Sequence, residues 1–207
     1  MIKIKNNNLG QSLVELILAI VVIEIGLFSV WSMFLVNYNS EREAQLRILG
    51  ANLAREGVEL IKNTRDSNWL KVMANVTTGD NPPQPWLWDQ GFDPGSYSLD
   101  ALNKELTKVT DDNEFVQLYL NDDGFYGVNN TGSLTPYRRA ITLKNICCDS
   151  TDNVSCTDNE IGSYLVEDSA CNEGEIKIGI KVISEVQWTI SGNSRSFTTE
   201  LNLYNWQ

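Results

Sequence analysis

The feature that most constrains this chain is the apolar run at residues 13–36, LVELILAIVVIEIGLFSVWSMFLV, whose only charged residues are Glu15 and Glu24. A helix that crosses the hydrocarbon core of a bilayer needs about 20 apolar residues, so this run is long enough to span. Lys3 and Lys5 precede it without an acidic neighbour, which predicts that its start faces the cytoplasm. We therefore expect a single-pass membrane protein with its C-terminal part outside the cytoplasm.

A cleaved secretory signal peptide is the alternative interpretation of the run. It predicts a shorter apolar region with a small-residue cleavage site directly behind it. Here the polar stretch NYNSEREAQLR, residues 37–47, follows instead. We therefore expect the apolar run to remain in the mature protein.

The helix is predicted to continue beyond the apolar run, from about residue 11 to residue 62, and to end within RDSNWL at residues 65–70. No proline occurs before Pro82. Apolar residues recur at spacings of three and four, the pattern of a helix with one apolar face. These residues are Leu46, Leu49, Leu53, Ala54, Val58 and Ile61.

The remaining sequence predicts a β-rich head, which gives an α+β fold with the long helix packed on a small antiparallel sheet. Alternation of apolar and polar residues predicts about four strands, with SGNS at residues 191–194 as a hairpin turn. The stretch SLDALNKELTKV, residues 98–109, predicts a short helix capped by Ser98. The predicted strands include residues 115–120, 137–143, 175–182, 186–190 and 195–206.

Composition excludes several classes of function. The net charge of −11 argues against nucleic-acid binding, which needs a basic surface. The chain has no histidine, the commonest general base and neutral metal ligand. It also lacks a nucleophile elbow, a phosphate-binding loop and a paired catalytic constellation. We therefore expect a protein that is not an enzyme and that needs no cofactor.

Two clusters in the head offer alternatives that the residues leave open. Four cysteines lie close together in the chain, and outside the cytoplasm such clusters form disulfides rather than metal sites. Adjacent cysteines are strained as a pair, so Cys147 and Cys148 should pair with Cys156 and Cys171 in either combination. Acidic loops at residues 111–114, 121–124 and 149–153 fit no calcium-loop pattern and predict no metal site.

The residues around the start of the apolar run resemble a known signature. Gly10-Gln11-Ser12-Leu13-Val14-Glu15 resembles the cleavage motif of type IV prepilins. The resemblance implies that a prepilin peptidase cuts between Gly10 and Gln11 and that the new amino terminus at Gln11 is methylated. Glu15 is then the fifth residue of the mature chain. Gln11 departs from the phenylalanine that most of the family has at this position.

Glu15 has a physical role in this interpretation. A carboxylate within a membrane is costly and usually has a partner, and cleavage leaves an ammonium group at Gln11. The Glu15 carboxylate of one subunit would pair with the amino terminus of a neighbour and set the axial register. Glu24 lies nine residues further, on the opposite side of the helix and about 13 Å along it. We treat it as a second candidate subunit contact, to which the resemblance assigns no role.

The resemblance divides the chain into a leader peptide (1–10), a membrane or filament-core helix (11–36), an amphipathic half of that helix (37–66) and a head (67–207). The chain is most similar to PilV-type minor pilins and type II secretion pseudopilins. A pilus and a secretion pseudopilus therefore remain alternative assemblies for it. The implied partners are other pilin subunits in a helical filament, the peptidase and methyltransferase, an inner-membrane assembly platform and, before assembly, membrane lipid. The alternative function is a tip adhesin whose Trp86 and Trp88 bind a surface glycan.

Overall fold

The computed structural model describes residues 9–80, 82–101, 103–110, 115–130, 132–149, 164–167, 169–190 and 192–205. The chain divides into two compact units, Met1–Leu46 and Arg47–Gln207. The described residues form one helix, α1, and eight antiparallel strands of one sheet. Their bounds are α1 Leu9–Met73, β1 Gly95–Asp100, β2 Glu105–Lys108, β3 Val116–Leu120, β4 Tyr126–Gly127, β5 Ser133–Asp149, β6 Tyr164–Glu167, β7 Glu175–Ile190 and β8 Asn193–Tyr204.

In the first unit, residues 13–36 of α1 are apolar on every side of the helix, with Glu15 and Glu24 as their only charged residues. Residues 13–36 are all exposed, with Phe28 at 75 % and Val22 at 69 %. A helix without a polar face does not pack on a single core, and it is typical of membrane spans and buried bundles. By its length and composition, this part of α1 is a candidate single membrane span.

In the second unit, α1 packs one face on the sheet, which confirms the predicted α+β class. Leu53, Ala54, Val58 and Ile61 of the predicted apolar stripe are buried. Val58 and Ile61 join one hydrophobic core with residues from the sheet and from the loop before β1. The other members of that core are Phe92, Tyr97, Leu99, Ile141, Leu143, Ile180, Val182 and Leu203.

Two glycines bring α1 very close to the sheet. A Cβ atom added at Gly57 would lie 2.6 Å from Ser184 Oγ, and one added at Gly50 would lie 2.7 Å from the ring of Trp188. Side chains cannot fit at such distances unless their neighbours move. The small residues at these positions therefore set the spacing between helix and sheet, a contribution that the apolar stripe alone does not predict.

Strand β5 organises the sheet. It pairs with β7 along residues 137–149, and β7 pairs in turn with β8. The other partners of β5 pair with successive stretches of this strand. Strand β3 pairs with residues 133–139, β1 with residues 141–143 and β6 with residues 145–148. Strands β2 and β4 complete the sheet beside β1 and β3. The predicted strands at 115–120, 137–143 and 175–182 and the hairpin around residues 191–194 are confirmed, within a larger sheet than the four strands expected.

The predicted short helix at residues 98–109 is wrong. This stretch belongs to strands β1 and β2, with Leu99 opposite Leu106 in the pairing. Tyr97 and Leu99 are buried in the core, and Tyr97 lies opposite Ile141 of β5. Pairing with the sheet and burial of two large side chains therefore override the local helical preference of this stretch.

The helix also extends further than the sequence pattern predicts. It ends at Met73, and Asn75 follows in the left-handed conformation with φ of 52°. The amide of Val76 donates to the carbonyl of Lys71, and the amide of Asn75 donates to that of Val72. These two bonds form a Schellman motif, in which an asparagine is one of the few residues tolerated at the left-handed position. Burial of Trp69 holds the additional turns against the head.

Candidate assembly surface on the N-terminal helix

The expected cleavage site lies in the first turn of α1. The helix begins at Leu9, so the backbone of Gly10 and Gln11 is helical. The basic residues of the predicted leader, Lys3 and Lys5, lie outside the described residues. A peptidase that cuts between Gly10 and Gln11 would therefore act on the start of the helix, where backbone N–H groups have no intrahelical partner.

Glu15 and Glu24 both lie on the exposed apolar part of α1. Residues 13–36 contain no lysine, arginine or histidine, so this stretch supplies neither carboxylate with a cation. Glu24 follows Glu15 by nine residues, which places the two carboxylates on opposite sides of the helix. Each carboxylate therefore faces a different neighbour in any surrounding bundle of helices.

A shallow groove runs along the helix from Glu24. It has a volume of about 650 Å³, and Trp31 and Phe34 on its wall stack with ring centroids 6.3 Å apart. The groove combines one carboxylate with three exposed aromatic rings, a surface that water solvates poorly. Its lining is Glu24, Leu27, Phe28, Val30, Trp31 and Phe34.

In the second unit, Arg139 of β5 joins the helix to the sheet. Its guanidinium donates to the carbonyl of Leu53 at 3.2 Å, to the Glu56 carboxylate at 3.1 Å and to the carbonyl of Leu99 at 2.8 Å. Arg139 is only 2 % exposed. Burial lowers the pKa of this guanidinium, and the nearby Glu56 carboxylate opposes that shift.

The sequence pattern places Arg139 at an inward position of its strand, although no role was predicted for it. In β5 the side chains of Tyr137, Arg139 and Ile141 point to the same face, and all three are buried. Burial also raises the pKa of Tyr137 to about 12. An arginine at an inward position of an alternating strand must find hydrogen-bond acceptors inside the protein.

The two tryptophans proposed for glycan binding lie on the loop that follows α1. The indole of Trp86 donates to the Asn68 side chain at 3.1 Å, and the Lys71 ammonium lies 3.9 Å from the centre of its ring. The amide of Asn68 donates to the carbonyls of Trp88 and Gln90. The Trp86 side chain therefore helps to hold this loop on the last turns of the helix. Trp88 contributes its backbone carbonyl there, and its ring packs against the hydrophobic core.

The disulfide expected in the head is present between Cys147 of β5 and Cys171, with Cα atoms 5.7 Å apart. Cys148 is also disulfide-bonded, and Cys156 lies outside the described residues. The carboxylate of Glu175 lies near the two sulfur atoms, but a disulfide leaves no thiolate to bind a metal. Of the acidic loops, residues 111–114 and 150–153 lie outside the described residues, and residues 121–124 form a tight turn.

In comparisons with known proteins, no family model, no curated protein and no solved structure matches this chain. Its class is therefore the one that its own fold and surface define, an α+β protein with a candidate membrane-spanning helix and a disulfide-containing head.

Proposed function

We propose that this chain is a structural subunit of a type IV pilus or a related secretion filament, a minor pilin or pseudopilin. The observation that carries the proposal is Glu15, a carboxylate within an exposed apolar helix and five residues beyond Gly10. A helix that serves only as a membrane anchor does not need a carboxylate, because the carboxylate raises the free-energy cost of inserting the helix into the membrane. An assembly signal that pairs with a neighbour's amino terminus explains its presence.

In this proposal, the first part of α1 has two successive environments. Lipid covers its exposed apolar residues before assembly, and the helices of other subunits cover them in the filament core. The head lies outside the cytoplasm, where its disulfide is stable. The implied partners are the prepilin peptidase and methyltransferase, the assembly platform in the membrane and the neighbouring subunits.

The head supports a structural role over the adhesin alternative. Trp86 uses its indole N–H and one face of its ring for contacts with Asn68 and Lys71 of α1. A glycan platform needs an aromatic face that is open to the ligand. These contacts give the Trp86 side chain a role in holding the loop on α1 that needs no ligand, so we propose the structural subunit as the function.

Processing at the amino terminus tests this proposal. We expect the membrane-extracted protein to begin at Gln11, as determined by intact mass and N-terminal sequencing. Gly10→Leu should abolish cleavage, because a large side chain prevents the close backbone approach that glycine permits. Ser12→Ala is the matched control and should be processed normally. An unprocessed wild-type chain, or one that begins beyond residue 12, would contradict the proposal.

A further inference from the structure

The groove that begins at Glu24 lacks a source of positive charge in the filament that we propose. In such a filament each subunit supplies one ammonium group, at Gln11, and this group pairs with one carboxylate, at Glu15. Each copy of this chain nevertheless carries two carboxylates in residues 13–36 and no basic residue there. The pairing scheme therefore accounts for Glu15 and leaves Glu24 without a cation.

The nearest basic residues of the chain do not provide one. Lys5 precedes Glu24 by 19 residues and Arg42 follows it by 18. Along a helix, 18 residues correspond to about 27 Å, far beyond the reach of an arginine side chain. A carboxylate in a membrane or a helical bundle is costly unless it meets a cation or a hydrogen-bond donor. Residues 13–36 contain no basic side chain, so a cation that pairs with Glu24 has to come from another chain.

We propose that the groove lined by Glu24, Phe28 and Trp31 binds a membrane-spanning helix of a different protein, one that carries a lysine or arginine side chain at this depth. The inference rests on the proposed function, because it assumes that the amino-terminal ammonium groups are paired at Glu15. It deepens that function by assigning the chain a heterologous partner within the membrane.

The chemistry of the groove fits this partner. A basic side chain placed between Glu24 and the aromatic rings gains both an ion pair and a cation–π contact. Phe28 and Trp31 lie four and seven residues after Glu24, so they occupy the same side of the helix. Both rings are exposed, at 75 % and 62 %. The apolar remainder of the groove would pack against the apolar side chains of the partner helix.

A second copy of this chain in the same axial register does not meet the requirement. Its residues 13–36 offer aromatic and aliphatic side chains but no basic residue, and its own groove would add a second carboxylate to the contact. Two carboxylates brought together without a cation repel each other. Because Glu24 is on the opposite side of the helix from Glu15, the partner can also occupy its groove without displacing the neighbour at Glu15.

Photo-crosslinking in the native membrane tests the inference. The crosslinking residue benzoylphenylalanine is introduced in place of Phe28 in the full-length chain. The control replaces Met33, which is 67 % exposed and lies nine residues from Glu24, on the opposite side of the helix. We expect Phe28 to yield a covalent product with a different membrane protein and Met33 to yield none with that protein. The partner's crosslinked segment, identified by mass spectrometry, must contain a lysine or arginine.

Charge variants then decide whether this contact depends on Glu24. We expect Glu24→Gln to lower the yield of the Phe28 product by about tenfold or more, as does neutralising the basic residue of the partner. Met33→Leu, a conservative change on the opposite side of the helix, should leave the product unchanged. A Phe28 product with a second copy of this chain or with lipid only, a partner without a basic residue, or a yield insensitive to Glu24→Gln would each overturn the inference.

The same samples distinguish failure of the inference from failure of the proposed function. Intact mass reports whether the chain is cut between Gly10 and Gln11, and sheared filaments report whether it is incorporated. A processed and incorporated chain whose Phe28 site crosslinks only to itself overturns the inference and leaves the function standing. An unprocessed chain overturns the function, and the Phe28 product still reports on the partner.

Discussion

Residues 13–36 and residues 50–69 belong to the same helix, yet their side chains are exposed to very different extents. The first stretch exposes every residue, including large apolar ones. The second buries one face against the sheet and keeps its polar face in water. The first stretch has no polar face that water could solvate, so it needs lipid or other helices around it.

This difference in exposure indicates that the two stretches of α1 have different roles. In the second stretch, small residues, an apolar stripe and the carbonyl of Leu53 make specific contacts with the sheet. These contacts stabilise the head. In the first stretch, the side chains make no comparable contacts within the described part of the chain, so their specificity must be directed to other molecules. Variants of the head should therefore change its stability, and variants of residues 13–36 should change assembly.

The largest expected effect on the head comes from Arg139. Arg139→Met removes hydrogen bonds to two backbone carbonyls and to Glu56. Breaking a buried charge pair costs about 3–5 kcal/mol, and we expect the lower end because Glu56 is partly exposed. Thermal unfolding of the full-length protein in detergent measures the change. Arg138→Met is the control on the exposed face of the same strand and should change stability by about 0.5 kcal/mol or less. Equal losses for the two variants would contradict this role of Arg139.

The disulfide should have the next largest effect. Replacing both Cys147 and Cys171 with alanine opens a loop with a sequence separation of 24 residues. We expect the free energy of unfolding of the head to fall by about 2–4 kcal/mol, because the unfolded chain gains conformational freedom. Chemical denaturation of the oxidised variant and wild-type proteins measures the difference. Unfolding at the same denaturant concentration would show that the bridge does not stabilise the head.

A smaller effect tests the close contact between helix and sheet. Gly57→Ala places a methyl group 2.6 Å from Ser184 Oγ, and overpacking of this kind costs about 1–3 kcal/mol. Within the described residues, Ser184 Oγ has no hydrogen-bond partner, so Ser184→Ala alone should be neutral or stabilising. In the Ser184→Ala background, Gly57→Ala should lose most of its penalty and gain up to about 1 kcal/mol from helix propensity. The remaining close neighbour is Ile141 Cδ1 at 3.2 Å, the end of a side chain that has to shift only slightly. Equal effects of Gly57→Ala in both backgrounds would mean that Ser184 does not limit the approach of the helix.

The sequence predicts the features that depend on periodicity within one element. The apolar run, the stripe through Leu53 and Ile61, the β7–β8 hairpin and the presence of a disulfide all follow from local patterns. Features that depend on a partner elsewhere in the chain were not predicted. Strand β1 forms because Tyr97 and Leu99 are buried beside β5, and Gly57 matters because Ser184 lies opposite it.

Some residues of the candidate site can likewise be predicted from the sequence, whereas the roles of others depend on contacts elsewhere in the chain. Glu15 and Glu24 stand out in the sequence because charged residues are rare in an apolar run. The alternation in β5 indicates an inward position for Arg139, but its three acceptors become known only when β5 is placed under the helix. Likewise, the proposed binding role of Trp86 could not be weighed before its contacts with Asn68 and Lys71 were known.

The most direct test of the central claim measures filament entry and head stability in the same Glu15→Val variant. The account predicts an unchanged melting temperature of the head, normal cleavage after Gly10, and a loss of incorporation into sheared filaments of about a hundredfold. That loss corresponds to the low end of the cost of breaking a buried charge pair. Leu16→Val, at the adjacent exposed position, should enter filaments normally, and Glu24→Val should show a much smaller defect than Glu15→Val. Normal incorporation of Glu15→Val, or an equal defect for Glu24→Val, would contradict the assignment of assembly to Glu15.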